Sequence, residues 1–396
     1  MKLKTISCPL LILLLWISHS AEAADIHVPG DYTTVQQAID AALWGDNIYI
    51  HPGVYHESII IPSKKIFISG TAPADPEIVA ATILTWQAGR GSDTKPVVTF
   101  ESSVAYISFA PRLHGVTVAN STHKSGAVVI RGGCKGLVSK CVIRDNAGIG
   151  IQCELKSVIN IVESIISGNE GFGIALWGCS KGYVRNCQIR GNKDSGILCS
   201  MCDTNISIYK TIITGNEAKT GGGMHIVNHA GPIINGVTIA DNFAHAGSGI
   251  YASIQATVYL DNSIVAFNTG TGGGIQCEPE SNAVIRYSDF YGNESQNFIA
   301  TDDPTGSDGN ISEDPLFGDL ENGDCHLHSV TGRFNPVSGL WIQDSDHSPC
   351  IDTAHPGVGT AYEPEPNGDR SNMGGYGRTT EASKSAVTDR KSSKSR

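Results

Sequence analysis

The stretch IRGNKDSGIL, Ile189–Leu198, decides the fold. An isoleucine stands three positions before an asparagine, and a Gly-Ile pair follows. The phrase recurs as IRDNAGIGIQ (143–152), ISGNEGFGIA (166–175), ITGNEAKTGGGMHI (213–226), IADNFAHAGSGIY (239–251) and VAFNTGTGGGIQ (265–276). A catalytic loop occurs once, whereas a repeated phrase is architecture. The asparagines are Asn146, Asn169, Asn192, Asn216, Asn242, Asn268 and Asn293, at gaps of 23, 23, 24, 26, 26 and 25 residues. That period predicts a solenoid.

Three apolar columns run in step with the asparagines. Three residues before each stand Ile143, Ile166, Ile189, Ile213, Ile239, Val265 and Phe290. Eight before stand Val138, Ile161, Val184, Ile208, Ile234, Leu260 and Ile285. After the asparagine come Ile151, Ile174, Ile197, Met224, Ile250 and Ile275. Local alternation around these positions indicates short strands buried on one face. Three strands then make one coil, and coils stacked about 4.8 Å apart form three parallel sheets around an apolar interior. Each asparagine sits at the bend between second and third strands, where its amide bonds to its equivalents above and below. Leucine is scarce in the columns, which excludes a leucine-rich repeat. Rung-like pieces at 47–50, 58–61, 66–69, 82–85, 97–100 and 114–118 extend the stack upstream, with a longer loop between Gly70 and Pro96 and with Asn120 as a first, out-of-register ladder residue.

The open end of such a stack needs a cover. Thr34–Leu43 reads as a helix whose stripe is Val35, Ala38, Ile39, Ala42 and Leu43, with Thr34 and Gln37 as a capping box and Gly45 as a stop. Residues 24–309 are therefore the coil stack, with its cap at 31–45. Residues 310–378 are expected to close the other end, and the Ser- and Lys-rich 379–396 is expected to be a disordered tail. Residues 1–23 read as an export signal, with Lys2 and Lys4, an apolar run over 9–17 and a small-x-small site at Ala21–Ala23. No later stretch is long and apolar enough to span a bilayer. The net charge of −11 argues against nucleic acid as a partner. A secreted or cell-surface monomer is expected.

DYTTVQQAIDAALWGDNIYIHPGVYHESIII (31–61) resembles the opening of pectin-lyase-like right-handed parallel β-helix proteins. The segments ISEDPLF (311–317), SPCID (348–352) and GDRSNMGGYG (368–377) look like the closing region of exported bacterial proteins of that type. The resemblance implies an all-β, right-handed parallel β-helix of three sheets with an N-terminal capping helix. It implies no specific chemistry, because the fold hosts lyases, hydrolases, esterases, epimerases and non-enzymes. The polygalacturonase trio N-T-D, G-H-G and R-I-K is absent, as are the W-I-D-H of pectate lyases and the D-P-H-D of mannuronan epimerases.

In the resembled family, polysaccharide lies on the outer face of the first-strand sheet. Tyr183, Arg185, Tyr209, Asn235, Tyr259, Asp261 and Arg286 are the candidate carbohydrate-binding residues there. Sugar rings stack on aromatics, and uronate carboxylates pair with cations. If the protein cleaves its ligand, Arg185, Lys210 and Arg286 are candidates to supply charge and Asp261 to hold a metal or orient Arg286. The plainer reading of Asp261 and Arg286 is a cross-strand salt bridge. Among the acids of 302–324, Asp302, Asp303, Asp308 and Asp314 are candidate calcium ligands, although the spacing does not fit an EF-hand. His225, His229 and His245 match no zinc spacing and are assigned surface roles, with His225 facing outward. The columns place most cysteines inside as small apolar fillers. Cys179 with Cys202, and Cys325 with Cys350, are the pairs that could bridge. Extracellular polysaccharide is the leading partner, and a non-catalytic scaffold is the rival reading.

Overall fold

The computed structural model describes residues 23–87, 95–101, 110–154, 156–179, 181–202 and 204–386. Residues 1–22 of the expected export signal (1–23) and 387–396 of the expected tail (379–396) lie outside them.

The repeating columns pair coil by coil, all in parallel. Val138, Ile161, Val184, Ile208, Ile234, Leu260 and Ile285 register along the first-strand sheet. Ile143, Ile166, Ile189, Ile213, Ile239, Val265 and Phe290 register along the second. Ile151, Ile174, Ile197, Met224, Ile250, Ile275 and Phe298 register along the third. All are buried in one core that runs from Ile26 to Phe298. Burying each Ile-sized side chain contributes about 2 kcal/mol. First and second strands are separated by one residue of left-handed backbone in each coil, including Lys140, Asn186, Lys210, Asn262 and Tyr287.

The asparagine ladder is continuous. Asn146 Nδ2 donates to Asn169 Oδ1 at 2.8 Å, and the same bond links Asn169–Asn192, Asn192–Asn216, Asn216–Asn242, Asn242–Asn268 and Asn268–Asn293 at 2.9–3.0 Å. Each Oδ1 also accepts a backbone N–H from the preceding rung. The first rung differs from expectation. Asn120 has φ 58° and is exposed, while Ser121 donates its N–H to Asn146 Oδ1. Ser121 is 25 residues before Asn146, so it holds the ladder position, and Asn120 takes the left-handed position that Asp145 takes one coil later.

The cap helix is Val35–Ala41, shorter than expected, with Val35, Ala38 and Ile39 buried. Thr34 Oγ1 accepts from Gln37 N at 3.2 Å, but the Gln37 side chain turns to Thr33. The Glu57 carboxylate instead takes the N–H groups of Val35 and Gln36, a favourable anion at a helix N-terminus. Leu43 lies beyond the helix and is 68% exposed, so it leaves the stripe. The loop expected after Gly70 contains a helix, Pro76–Ala81, capped by Asp75.

The closing region departs most from expectation. Only Asn310 and Ile311 add to the end, pairing with Ser288–Phe290; the rest lies along the side of the stack. Ile264 and Ala266, on the outer face of the second-strand sheet, pack with Leu327, Cys350, Ile351, Ala354 and Met373. Gly374 N donates to Asn262 O and Gly375 N to Thr238 Oγ1. The physical reason is apolar surface: Ile264 points outward and needs cover. The region also extends further than expected. Ala382, Ser383 and Ser385 are buried, and Ser383 Oγ donates to Leu327 O. Residues 379–386 are thus packed, not tail.

All ten described cysteines are free and buried. Cys179 Sγ donates to Cys153 O at 3.5 Å, and Cys202 Sγ to Leu176 O at 3.4 Å and Ser200 O at 3.3 Å. Cys350 Sγ turns to Asp289 Oδ2, at 3.3 Å.

Candidate functional site

The expected first-strand row forms in the expected order. Tyr183, Ser207, Ile233, Tyr259 and Val284 register in one column, and Arg185, Tyr209, Asn235, Asp261 and Arg286 in the next. Its charges are largely spent within the protein. Arg286 Nε and Nη2 each donate to Asp261 at 2.9 Å, the fork geometry that satisfies a carboxylate. Asn235 Oδ1 accepts from Asn262. Lys210 Nζ donates to Arg378 O at 2.7 Å. The upper half of the row is open sheet, with Ile233, Tyr259 and Val284 exposed.

The acidic loop likewise serves local turns. Asp303 accepts from Thr305 N and Asp314 from Leu316 N, while Asp302 and Asp308 are exposed. Among the described residues no three metal-ligating side chains converge.

A further concavity lies on another face. A cleft of about 720 Å³ opens beside the third-strand sheet, lined by Glu170, Phe172, Lys193, Asp194, Lys219 and His225, among others. Loop length creates it. Ile174 and Ile197 follow their asparagines by five positions, whereas Met224 and Ile250 follow theirs by eight. The longer loops pair with each other through Glu217–Phe243 and Thr220–Ala246 bridges and rise as a wall over the shorter ones. Gly221 makes this possible. At φ 65° it lies against the third strand, and a Cβ there would meet Met224 O at 2.5 Å.

The third strands turn Ala175, Leu198, His225, Tyr251 and Gln276 outward in one column. Ile149, Ala175 and Leu198 make an apolar floor flanked by Phe172, Trp177 and Val227. His225 stands where that floor meets the wall. Its ring is tilted 5.3 Å from that of Tyr251, Nδ1 lies 3.5 Å from Thr220 Oγ1, and Nε2 is buried without a partner. Burial pushes its pKa down, with the Glu278 carboxylate opposing, so the imidazole is neutral at pH 7. Tyr251 donates to Glu278, and burial first, then that carboxylate, pushes its hydroxyl up to about 12. Burial also raises the Asp194 carboxyl, while a backbone N–H from Ser195 and the Lys219 charge oppose it. Lys193 is paired with Glu217 at 3.0 Å. Lys219 has no ion-pair partner among the described residues.

His225 and His245 share this cleft, and His229 does not line it. Sequence reasoning placed His225 on the outer face but gave it no role. The available signal was the lengthening of the gaps from 23 to 26 residues, which marks where loops rise beside the third strand.

The right handed beta helix region family matches residues 105–246. The disaggregatase related family matches residues 206–354. Pectate lyase Pel9A superposes with a TM-score of 0.62 at 12% identity, covering 90% of this chain and 97% of that one. The fold is the pectin-lyase-like right-handed parallel β-helix. The A-module of mannuronan C-5 epimerase AlgE4 from Azotobacter vinelandii is also similar, with a TM-score of 0.52 at 17% identity over 68% of this β-helix and 75% of that chain. No curated protein matches the sequence significantly. At these identities the likeness speaks for the fold.

Proposed function

We propose that this β-helix is an exported protein that binds an acidic polysaccharide in the third-strand cleft and acts on its uronate units by abstracting the C5 proton. The observation that carries the reading is His225. It is an imidazole whose Nε2 is unpartnered but enclosed, between an apolar patch and a charged wall. Phe172 and Phe243, which line the cleft, offer the stacking surface a sugar ring needs. The ammonium of Lys219 is suited to neutralise the uronate carboxylate, which makes the C5 proton acidic enough to remove.

In the elimination, the His225 ring turns about its side-chain bonds to bring Nε2 to the cleft, and Nε2 takes the C5 proton. The C5–H electron pair becomes the C4–C5 double bond, and the C4–O4 bond breaks. The leaving O4 takes a proton, for which Asp194, with its raised carboxyl, is the suited donor in the cleft. Returning a proton to the opposite face of C5 would instead invert that centre. Folds of this kind are seen in a pectate lyase and a mannuronan epimerase, which supports polysaccharide as the substrate class. Binding without turnover is the remaining alternative.

The test incubates the full chain with polygalacturonate and with alginate, with and without calcium, and follows absorbance at 235 nm and the C5 configuration by NMR. Turnover that disappears in His225→Ala supports the reading. Unchanged polymer together with no measurable binding to either polymer overturns it.

A further inference from the structure

A histidine sealed inside the closing region stands between two carboxylates. His326 is fully buried. Its Nδ1 lies 2.6 Å from Asp324 Oδ1, and its Nε2 faces Glu381 Oε2 at 3.5 Å. The Tyr376 ring stacks on the imidazole with centroids 3.6 Å apart, and the Phe334 ring tilts against it at 5.8 Å. The two carboxylates come from different stretches of chain. Asp324 shares the strand Asp324–Leu327 with the histidine. Tyr376 and Glu381 belong to 376–385, a strap laid over that strand. Ser383 Oγ donates to Leu327 O, Ser329 Oγ to Lys384 O and Lys384 N to Gly332 O.

The charges around His326 are divided unequally. Arg333 donates Nη1 to Asp324 Oδ2 at 3.0 Å and turns Nε and Nη2 to Asp344. His328 lies 4.0 Å from the same Asp344. Asp324 therefore keeps a cation whatever the state of His326. Glu381 has no ion-pair partner but His326 among the described residues. Burial pushes up both the Tyr376 hydroxyl and the Cys325 thiol, so these neighbours stay neutral. From the second-strand sheet, Arg190 acts on Tyr376 and Asp241 on Cys325. Burial disfavours a charge on His326, but Asp324 and then Glu381 outweigh it and hold its pKa above the ordinary 6.5. The tie is thus complete below 6.5 and is lost as pH rises through the raised value.

We infer that His326 is a pH latch: as an imidazolium it ties Glu381, and with it the strap, to the body of the closing region, and on losing its proton it lets the strap lift. The strap edges two clefts. Tyr376 lines both, one of about 410 Å³ with Lys210, Thr379 and Glu381, the other of about 340 Å³ with Arg190, Asp319 and Asn335. Gln188 lies in the floor of each, so a lifted strap joins them across the second-strand sheet. The latch stands independently of the function proposed for the His225 cleft.

Other carboxyls also touch the strap. Glu363 accepts Arg378 N, and Asp352 accepts Ser385 Oγ. Both are raised by burial, and both belong to 345–375, which therefore serves as the internal reference. The experiment measures hydrogen exchange of the full chain at pH 5 and pH 8.5, corrected for intrinsic rates. Exchange in 376–385 should quicken at pH 8.5 several-fold more than in 345–375. Glu381→Gln changes a half-exposed side chain and removes the tie. It should bring strap exchange at pH 5 close to the wild-type level at pH 8.5 and erase the excess. Equal pH dependence in the two segments, or an excess that survives in Glu381→Gln, overturns the inference.

Discussion

Cys350 Sγ donates to Asp289 Oδ2 at 3.3 Å, a buried contact that joins the closing region to the last full coil. Burial raises the Asp289 carboxyl to about 7, against opposing backbone and thiol hydrogen bonds. Its folded pKa thus lies above the ordinary value of 3.8. The folded chain holds a proton that the unfolded chain releases, so this carboxyl favours folding at low pH. Its contribution is lost as pH rises from about 4 to 7. Glu363, also raised to about 7, acts in the same direction. The closing region should therefore dock more firmly at pH 5 than at pH 8. Hydrogen exchange of residues 345–385 should be slower at pH 5 once corrected for intrinsic rates, and Asp289→Asn should flatten the difference.

Asn192 illustrates what holds the stack. Its side chain accepts from the backbone and amide of Asn169 and donates to Ile166 O and Asn216 Oδ1. Replacing it with alanine leaves several buried groups unpaired. Asn192→Ala should cost about 3 kcal/mol, seen as a lower urea midpoint. Asn120→Gly, at an exposed left-handed position outside the ladder, should cost little, and the contrast checks the corrected register.

In the mechanism proposed above, His225 sets the acid limb of activity. Its pKa lies below 6.5, and the base works only when neutral. Activity should hold down through pH 6.5 and fall at lower pH. His225→Gln should lower kcat by at least about a hundredfold with little change in KM, since it removes a proton acceptor and not a stacking surface. The pH dependence of initial rates checks both.

Thiol reactivity reports the core. Cys141 and Cys187 are pushed up to about 11 and about 12 by burial, and Cys199 is also raised by burial. Thiolate is the reactive form. These thiols should resist an aromatic disulfide reagent in the native protein and react promptly in urea. Mass spectrometry under non-reducing conditions should find Cys179 and Cys202 unlinked.

Much of the fold was legible because a stacked coil writes its geometry into local order. Ile189, Asn192 and Ile197 repeat at a fixed interval, and each contact partner is the same column one period away. The first-strand columns and the outward direction of His225 followed from that register alone. Two features did not. The cleft depends on how far the loops after Asn216 and Asn242 rise over the floor left by shorter ones, and height is not a property of any single repeat. The closing region depends on contacts such as Lys210 with Arg378, 168 residues apart, which carry no periodic signal.

The sequence by itself determined the coil, its interior and its ladder, because neighbours in a stack are one period apart along the chain. Only the tertiary structure decided which outer face is walled, which is covered and which cations are left without acids. Those outcomes follow from where non-repeating segments find apolar surface to bury.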